Sequence, residues 1–266
     1  MEQTHAVPLP PADHYQYFSH LWHSGQLVPW RRYRPDPGWQ YPDHDRQRFT
    51  RLFQGWQVYV QGHRCLDLGC HTGFISLVAL GLGATAVRAV NSRPQPLAVG
   101  RYALEELGVT GVELIQQDIE DTRALQALCD QADTVIMAQA LEHMANPLAV
   151  LEAISRSRAQ HLLFQSTLSS DTGMPQLTYH VQSTSSAFNA WRGDREQAWA
   201  AVPNLRWIET VLYSLGWSLE LHRVDRDFDR NWFATPGLDR FPPRTGRSVT
   251  LAASRRGHGR GTEHWQ

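Results

Sequence analysis

Lysine is missing altogether, so all 25 basic residues are arginine, and any mechanism that needs a lysine amine as nucleophile or Schiff base is excluded. Cysteine is scarce. Cys65, Cys70 and Cys129 are odd in number and show no CxxC or mixed Cys/His ligand spacing, which excludes a disulfide framework and a structural zinc site and leaves reduced thiols as the expectation. No His/Asp cluster has ligand spacing either, so no metal is expected. A charge surplus is also lacking: 25 basic residues face 26 acidic ones for a net charge of −1, which gives no general attraction to a phosphate backbone or an anionic membrane. Long apolar runs are absent. The longest, from Phe74 to Val87, is too short to span a bilayer and is broken by Gly81 and Gly83, and the stretch from Met1 to Tyr15 is too polar for a secretory signal. A soluble, cytoplasmic protein with no membrane partner is expected.

What is present suits a packed core. Hydrophobic residues make up 42% of the 266, and there are ten Trp, enough for one large α/β domain with an elaborated terminus. Residues 1–62 read as an N-terminal helical cap. One helix face there carries Tyr15, Tyr17, Phe18, Leu21 and Trp22; after a Pro-rich turn region from Pro29 to Pro42, Asp43 opens a second helix with Phe49, Leu52, Phe53, Trp56 and Tyr59 on its apolar face.

The main domain is expected over 63–254. Short apolar runs at 65–68, 86–90, 112–115, 134–137 and 161–164 read as strands, and helical patterns lie near 74–82, 95–107, 121–131 and 147–158, with Pro94, Pro96 and Pro147 where first-turn prolines belong. Five β-then-α units in succession imply a doubly wound, Rossmann-like α/β sheet. The polar stretch from Ser169 to Asn189 reads as a loop, part of a lid insertion at about 169–200. A helix from Asn204 to Leu215 and strands at 218–224 and 248–253 follow, and the Arg/Gly-rich 255–266 reads as a disordered tail.

The informative segment is Cys65-Leu66-Asp67-Leu68-Gly69-Cys70-His71-Thr72-Gly73-Phe74. A strand ending in an acidic residue passes through two glycines into a helix, so the backbone turns tightly and leaves room for a ligand at the helix start. A dinucleotide fingerprint needs G-x-G-x-x-G. Here His71 stands at the second glycine's place, and Asp67 would repel a pyrophosphate while suiting a cofactor that carries an ammonium and a sulfonium.

Leu66-Asp67-Leu68-Gly69-Cys70-His71-Thr72-Gly73 resembles motif I of the class I S-adenosylmethionine-dependent methyltransferases. The resemblance implies S-adenosyl-L-methionine as cofactor and a seven-stranded sheet whose last strand is antiparallel. It implies cofactor contacts from Asp67, Gly69, His71 and Gly73, from Asn91 and Ser92 at the ribose, from Asp118 and Ile119 at the adenine, and from Gln139. Gln139-Ala140-Leu141-Glu142-His143-Met144 resembles the Leu-Glu-His segment that flanks the methyl group in that family. Two departures stand out: His71 where a small residue is usual, and Asn91 where a carboxylate is usual. A shorter likeness, in Phe18-Ser19-His20-Leu21-Trp22-His23 and Val202-Pro203-Asn204-Leu205-Arg206-Trp207, points to the group related to the tRNA wobble-uridine alkyltransferases.

The resulting expectation is methyl transfer to an oxygen or nitrogen of a small-molecule acceptor. Two alternatives stay open. One is a tRNA-modifying methyl- or alkyltransferase, with RNA held by Arg31, Arg32, Arg34, Arg46, Arg48 and Arg51; the other is a noncatalytic cofactor-binding relative. Ligands of open α/β sheets bind outside the carboxyl ends of the strands. His143 follows the fourth strand and His180 the fifth, so these two are the candidate catalytic bases.

Overall fold

A computed structural model describes Phe53 and residues 55–169, 173–183, 197–225 and 248–257. These fall into two compact units. The first reaches to Ile119 and takes in Ser183; the second holds Glu120–Gln182 and the described residues from Gln197 onward.

The first unit repeats strand and helix. After the short helix α1 (Gln57–Val60) come β1 (Arg64–Leu68), α2 (Phe74–Gly81), β2 (Ala86–Asn91), α3 (Pro94–Glu106) and β3 (Val112–Gln116). β1 pairs parallel with β2, Asp67 opposite Ala89, and β2 pairs parallel with β3, so the three carboxyl ends lie on one side. Cys65, Leu66, Asp67 and Leu68 are all buried, as a strand covered on two faces requires. Pro94 opens α3, where its missing N–H costs nothing. Of the expected N-terminal cap, Phe53 and Trp56 are fully buried with their rings edge to face at 5.5 Å. The cap's other residues up to Arg51, with the Arg group named above, lie outside the described residues.

The second unit contains α4 (Thr122–Cys129), β4 (Thr134–Ala138), a 3-10 turn (Leu141–His143), α5 (Pro147–Arg156), β5 (His161–Thr167), β6 (Leu177–Ser183), β7 (Gln197–Pro203), α6 (Leu205–Ser214), β8 (Trp217–Asp225) and β9 (Ser248–Arg255). β4 runs parallel to β5, while β9 runs antiparallel to both β5 and β8. The core strands form one seven-stranded mixed sheet in the order β3-β2-β1-β4-β5-β9-β8, and β6 with β7 forms a separate two-stranded sheet. This is the Rossmann-like sheet with an antiparallel last strand.

Three expectations change in detail. β5 continues past Phe164 through Gln165, Ser166 and Thr167, because those polar residues find ladder partners in Thr250, Val249 and Ser248 of β9. The stretch read as loop contains β6: Leu177, Tyr179 and Val181 alternate with polar residues, and β7 supplies the partner strand. Arg255, placed at the head of a loose tail, instead ends β9. Its guanidinium lies over the Trp217 ring at 4.3 Å and donates to the carbonyls of Ile154, Ser157 and Ala159, closing the C-terminal end of α5.

Candidate functional site

In the first unit the chain leaves β1 at Leu68 and enters α2 at Phe74 through Gly69, His71 and Gly73, which have φ of +75°, +55° and +89°. The N–H groups of Gly69 and Cys70 both donate to Val90 O, at 2.9 and 3.0 Å, and Gly73 N–H donates to Cys70 O at 2.8 Å. The turn is thus tied to the end of β2, and those two amides are committed within the protein.

Gly73, the residue before α2, has no side chain to cap the helix. Asp67 does this across the turn: its carboxylate accepts the Ser76 hydroxyl at 2.6 Å and the Ser76 backbone N–H in the first turn of α2. A carboxylate there also meets the positive end of the helix dipole. Asp67 is only 1% exposed, and burial pushes its pKa up to about 7 against the opposing pull of the Ser76 bonds. The neighbouring Cys70 thiol is pushed well above its ordinary value by burial first and by the Asp67 charge second, so it is no nucleophile.

Packing holds this turn against α3. A Cβ added at Gly100 would lie 2.4 Å from Thr72 O, so the mid-helix glycine is what lets the turn sit there. Cys70, Ala89 and Leu97 form the buried cluster beneath it.

The other expected cofactor residues of this unit stand at the neighbouring strand ends. Asn91 ends β2 and is half-buried; its Oδ1 accepts the Arg93 N–H at 3.0 Å, a turn that leads into α3. Ser92 O accepts from Gln116 Nε2 at 3.3 Å. After β3, Asp118 is exposed and Ile119 half-buried. Asp118 does not cap α4, because Asp121 does, accepting the Ala124 N–H at 3.2 Å. Asp67, Gly69, His71, Gly73, Asn91, Ser92, Asp118 and Ile119 therefore all lie at the carboxyl ends of three adjacent parallel strands or in the turns that follow them.

In the second unit Gln139 and His143 follow β4. Gln139 is left-handed at φ +55°, and its N–H donates to Gln165 O at 2.8 Å. His143 closes the 3-10 turn and is half-buried. His180 lies in β6, and its side chain is outside the described residues. Among the described residues no group of three His, Cys, Asp or Glu is arranged to hold a metal ion, and no helix is long and apolar enough to cross a membrane.

Sequence reading missed Ser76, Glu120, Ser166 and Thr167, and it placed Glu142 in the Leu-Glu-His segment without assigning it a role. Glu142 is 3% exposed and accepts the hydroxyls of Ser166 and Thr167, each at 3.2 Å. Glu120 accepts two backbone N–H groups, of Ala145 and Asn146. Of the four missed residues only Ser76 had a local signal, a hydroxyl residue in the first turn of a helix preceded by glycine.

Known proteins share this architecture. The N-terminal domain of EvdMO1, solved in the presence of SAH and D-fucose, superposes with a TM-score of 0.58 at 17% identity, covering 93% of this chain and 97% of that one. Magnesium protoporphyrin IX methyltransferase from Synechocystis PCC 6803, with bound SAM, gives 0.54 at 16% identity over 91% and 95%. The [4+2]-cyclase SpnF gives 0.58 at 15% identity over 94% and 99%, so the likeness fixes the fold alone. In sequence, the ubiquinone biosynthesis O-methyltransferase of Actinobacillus pleuropneumoniae serotype 5b (strain L20) is 31% identical over 129 residues, 47% of this chain and 51% of that protein. The protein of the same name from Xanthomonas euvesicatoria pv. vesicatoria (strain 85-10) is 33% identical over 132 residues, 49% and 54%. This chain spans about half or less of the length of the curated relatives it matches. The family model described as methyltransferase domain matches residues 60–212, more than half of the 266, and by that match the chain belongs to the methyltransferase-domain family.

Proposed function

We propose that this protein transfers a methyl group from S-adenosylmethionine to an oxygen of a small-molecule acceptor. The observation that carries the reading is Asp67. A carboxyl group buried at the glycine turn, poised near neutral pH, gains most from a ligand that brings a cation to it. The residues fit such a cofactor and not a pyrophosphate: Gly69 and Gly73 present no Cβ, while the Gly69 and Cys70 amides that could cradle an anion donate to Val90 O. When bound, S-adenosylmethionine supplies an electrophilic methyl group on its sulfonium.

The chain's own residues do the rest. Asp67 holds the charge that offsets the cofactor's ammonium end, Asn91 and Ser92 meet the ribose, and Asp118 with Ile119 borders the adenine. His71 and Gln139 present backbone beside the cofactor. His143 accepts the proton of the acceptor hydroxyl, with His180 as the second candidate base. Alignment in a water-poor pocket supplies most of the acceleration, as in displacements that need little acid-base help. An oxygen acceptor is preferred to nitrogen because the curated relatives are O-methyltransferases.

The finer placement beside the tRNA wobble-uridine alkyltransferases rests on residues 18–23, outside the described set, and on 202–207. In the latter, Asn204 caps α6 by accepting the Trp207 N–H and ties in Met174 and Gln176. A structural duty of this kind accounts for the likeness without RNA, which leaves the small-molecule reading in front. Calorimetry with S-adenosylmethionine and S-adenosylhomocysteine, followed by mass spectrometry of a panel of phenols, alcohols, carboxylic acids and amines, tests the proposal. A methylated oxygen supports it; absence of binding to either ligand at millimolar concentration overturns it.

A further inference from the structure

Residues 139–146, between β4 and α5, contain only the 3-10 turn Leu141–His143 and begin with Gln139 in the left-handed region. The left-handed region is unfavourable for glutamine, and one 3-10 turn does not hold itself. The segment is pinned from outside. Gln139 N–H donates to Gln165 O at 2.8 Å. The Glu142 carboxylate accepts the Thr167 hydroxyl at 3.2 Å and shares the Ser166 hydroxyl, also at 3.2 Å, with Thr167 O at 3.1 Å, at the end of β5. Glu120 Oε1 accepts the N–H groups of Ala145 at 2.8 Å and Asn146 at 2.7 Å. Asn146 in turn caps α5, accepting the Ala149 N–H at 3.3 Å, so this clamp ends where a helix begins.

We propose that Glu142 and Glu120 are positioning residues whose carboxylates lock the turn after β4 in its strained form and so present His143 to the methyl acceptor in one orientation. The proposal deepens the methyl-transfer reading and rests on it. A buried carboxylate needs donors for its oxygens, and here they come from outside the turn, at the end of β5. Glu142 thus fixes where the turn lies against the end of β5. The two clamps also bracket His143: Glu142 precedes it directly, and Glu120 takes the amides of Ala145 and Asn146 just beyond it.

The test uses Glu142→Gln and Glu120→Gln in the full chain, which keep volume and remove charge. Both variants should bind S-adenosylhomocysteine within about three-fold of the parent, while kcat on the acceptor found by the panel falls about tenfold or more with KM little changed. In a His143→Asn background, Glu142→Gln should cost nothing further, because a residue that acts only through His143 has then nothing to position. Amide exchange at His143, Met144, Ala145 and Asn146 should rise about tenfold or more, with the amides of α2 unchanged. Should Glu142→Gln fail to fold, Thr167→Val removes one donor at equal volume and gives the same readouts.

Additive losses in the two backgrounds, unchanged exchange, or loss of S-adenosylhomocysteine binding in step with turnover would each overturn the proposal. The exchange measurement needs no acceptor, so its failure is distinct from failure of the methyl-transfer reading. If the parent protein binds neither cofactor form, that reading falls and takes the role of His143 with it, whereas raised exchange in the variants still sustains the clamp.

Discussion

The Ser76 hydroxyl donates to Asp67 Oδ2 at 2.6 Å, so the acidic residue one position before the end of β1 also closes the first turn of α2. Asp67 is a helix cap and, in the proposed function, a charge partner for the cofactor, and its two simplest variants separate these duties. Asp67→Asn keeps one acceptor oxygen for Ser76 and removes the charge. Its fold should persist, while affinity for S-adenosylmethionine drops about tenfold or more, the loss expected when a charge-assisted contact goes. Asp67→Ala should lose both affinity and about 1 kcal/mol of stability, because it also uncaps the helix. Calorimetry beside a denaturant titration reads the two effects, and unchanged binding by Asp67→Asn would remove Asp67 from the site.

The raised pKa of Asp67 sets a pH dependence whose sign is fixed. Its carboxyl titrates at about 7 in the fold against 3.8 for the ordinary group. The folded state then holds a proton the unfolded chain has lost. This group's contribution to stability is full at acid pH, falls as pH rises toward 7, and is level above it. The Asp67→Asn variant, a permanent stand-in for the protonated form, should gain stability relative to the parent between about pH 5 and 8. Affinity for S-adenosylmethionine runs the other way and should strengthen as pH rises through 7, a trend that Asp67→Asn abolishes. Parallel pH profiles for parent and variant would show that Asp67 does not titrate in this range.

The elements that sequence made legible are those that depend on local pattern. Thr134–Ala138 is buried throughout and reads as a continuous apolar run, and Gly69 and Gly73 announce a turn because few other residues adopt their φ. What escaped depends on contacts distant along the chain. Glu142 meets Ser166 and Thr167 across 24 and 25 residues, and no spacing rule connects them. β6 carries alternation at Leu177, Tyr179 and Val181, but it is short and set in a polar stretch, so that pattern is easily read as loop. Arg255 was misassigned for the same reason: its Arg/Gly surroundings resemble a tail, yet Trp217 and the end of α5 give it a fixed place.

Gly100 offers a packing test remote from any ligand contact. Alanine is the better helix former by about 0.5–1 kcal/mol, so on propensity alone Gly100→Ala would stabilise α3. The new Cβ, however, would meet Thr72 O at 2.4 Å and Leu114 Cδ1 at 3.0 Å, and the first of these is backbone in the turn between β1 and α2. Gly100→Ala should therefore lower the Tm and weaken S-adenosylhomocysteine binding about tenfold, since a displacement of the turn by even 1 Å disturbs what it holds. A higher Tm with normal binding would mean that the turn yields freely.

Asn91→Asp tests the ribose assignment at the end of β2. In the parent, Asn91 Oδ1 accepts the Arg93 N–H, a bond that an aspartate oxygen makes equally well, and the site lies just ahead of the N-terminus of α3, where negative charge is favoured. The turn should survive with its stability unchanged or slightly raised. A carboxylate then offers the ribose diol a charge-assisted acceptor in place of an amide oxygen, and charge-assisted bonds are the stronger class. Affinity for S-adenosylhomocysteine should accordingly hold or improve, by up to about tenfold for one such exchange. S-adenosylhomocysteine is the ligand to use because it lacks the sulfonium, so any gain cannot come from long-range attraction between that cation and the new carboxylate. A loss of about tenfold or more, with the Tm intact, would mean that the Asn91 amide N–H donates to a partner the carboxylate repels. The cofactor's ribose would then have to be sought at Ser92 or in the turn after β3.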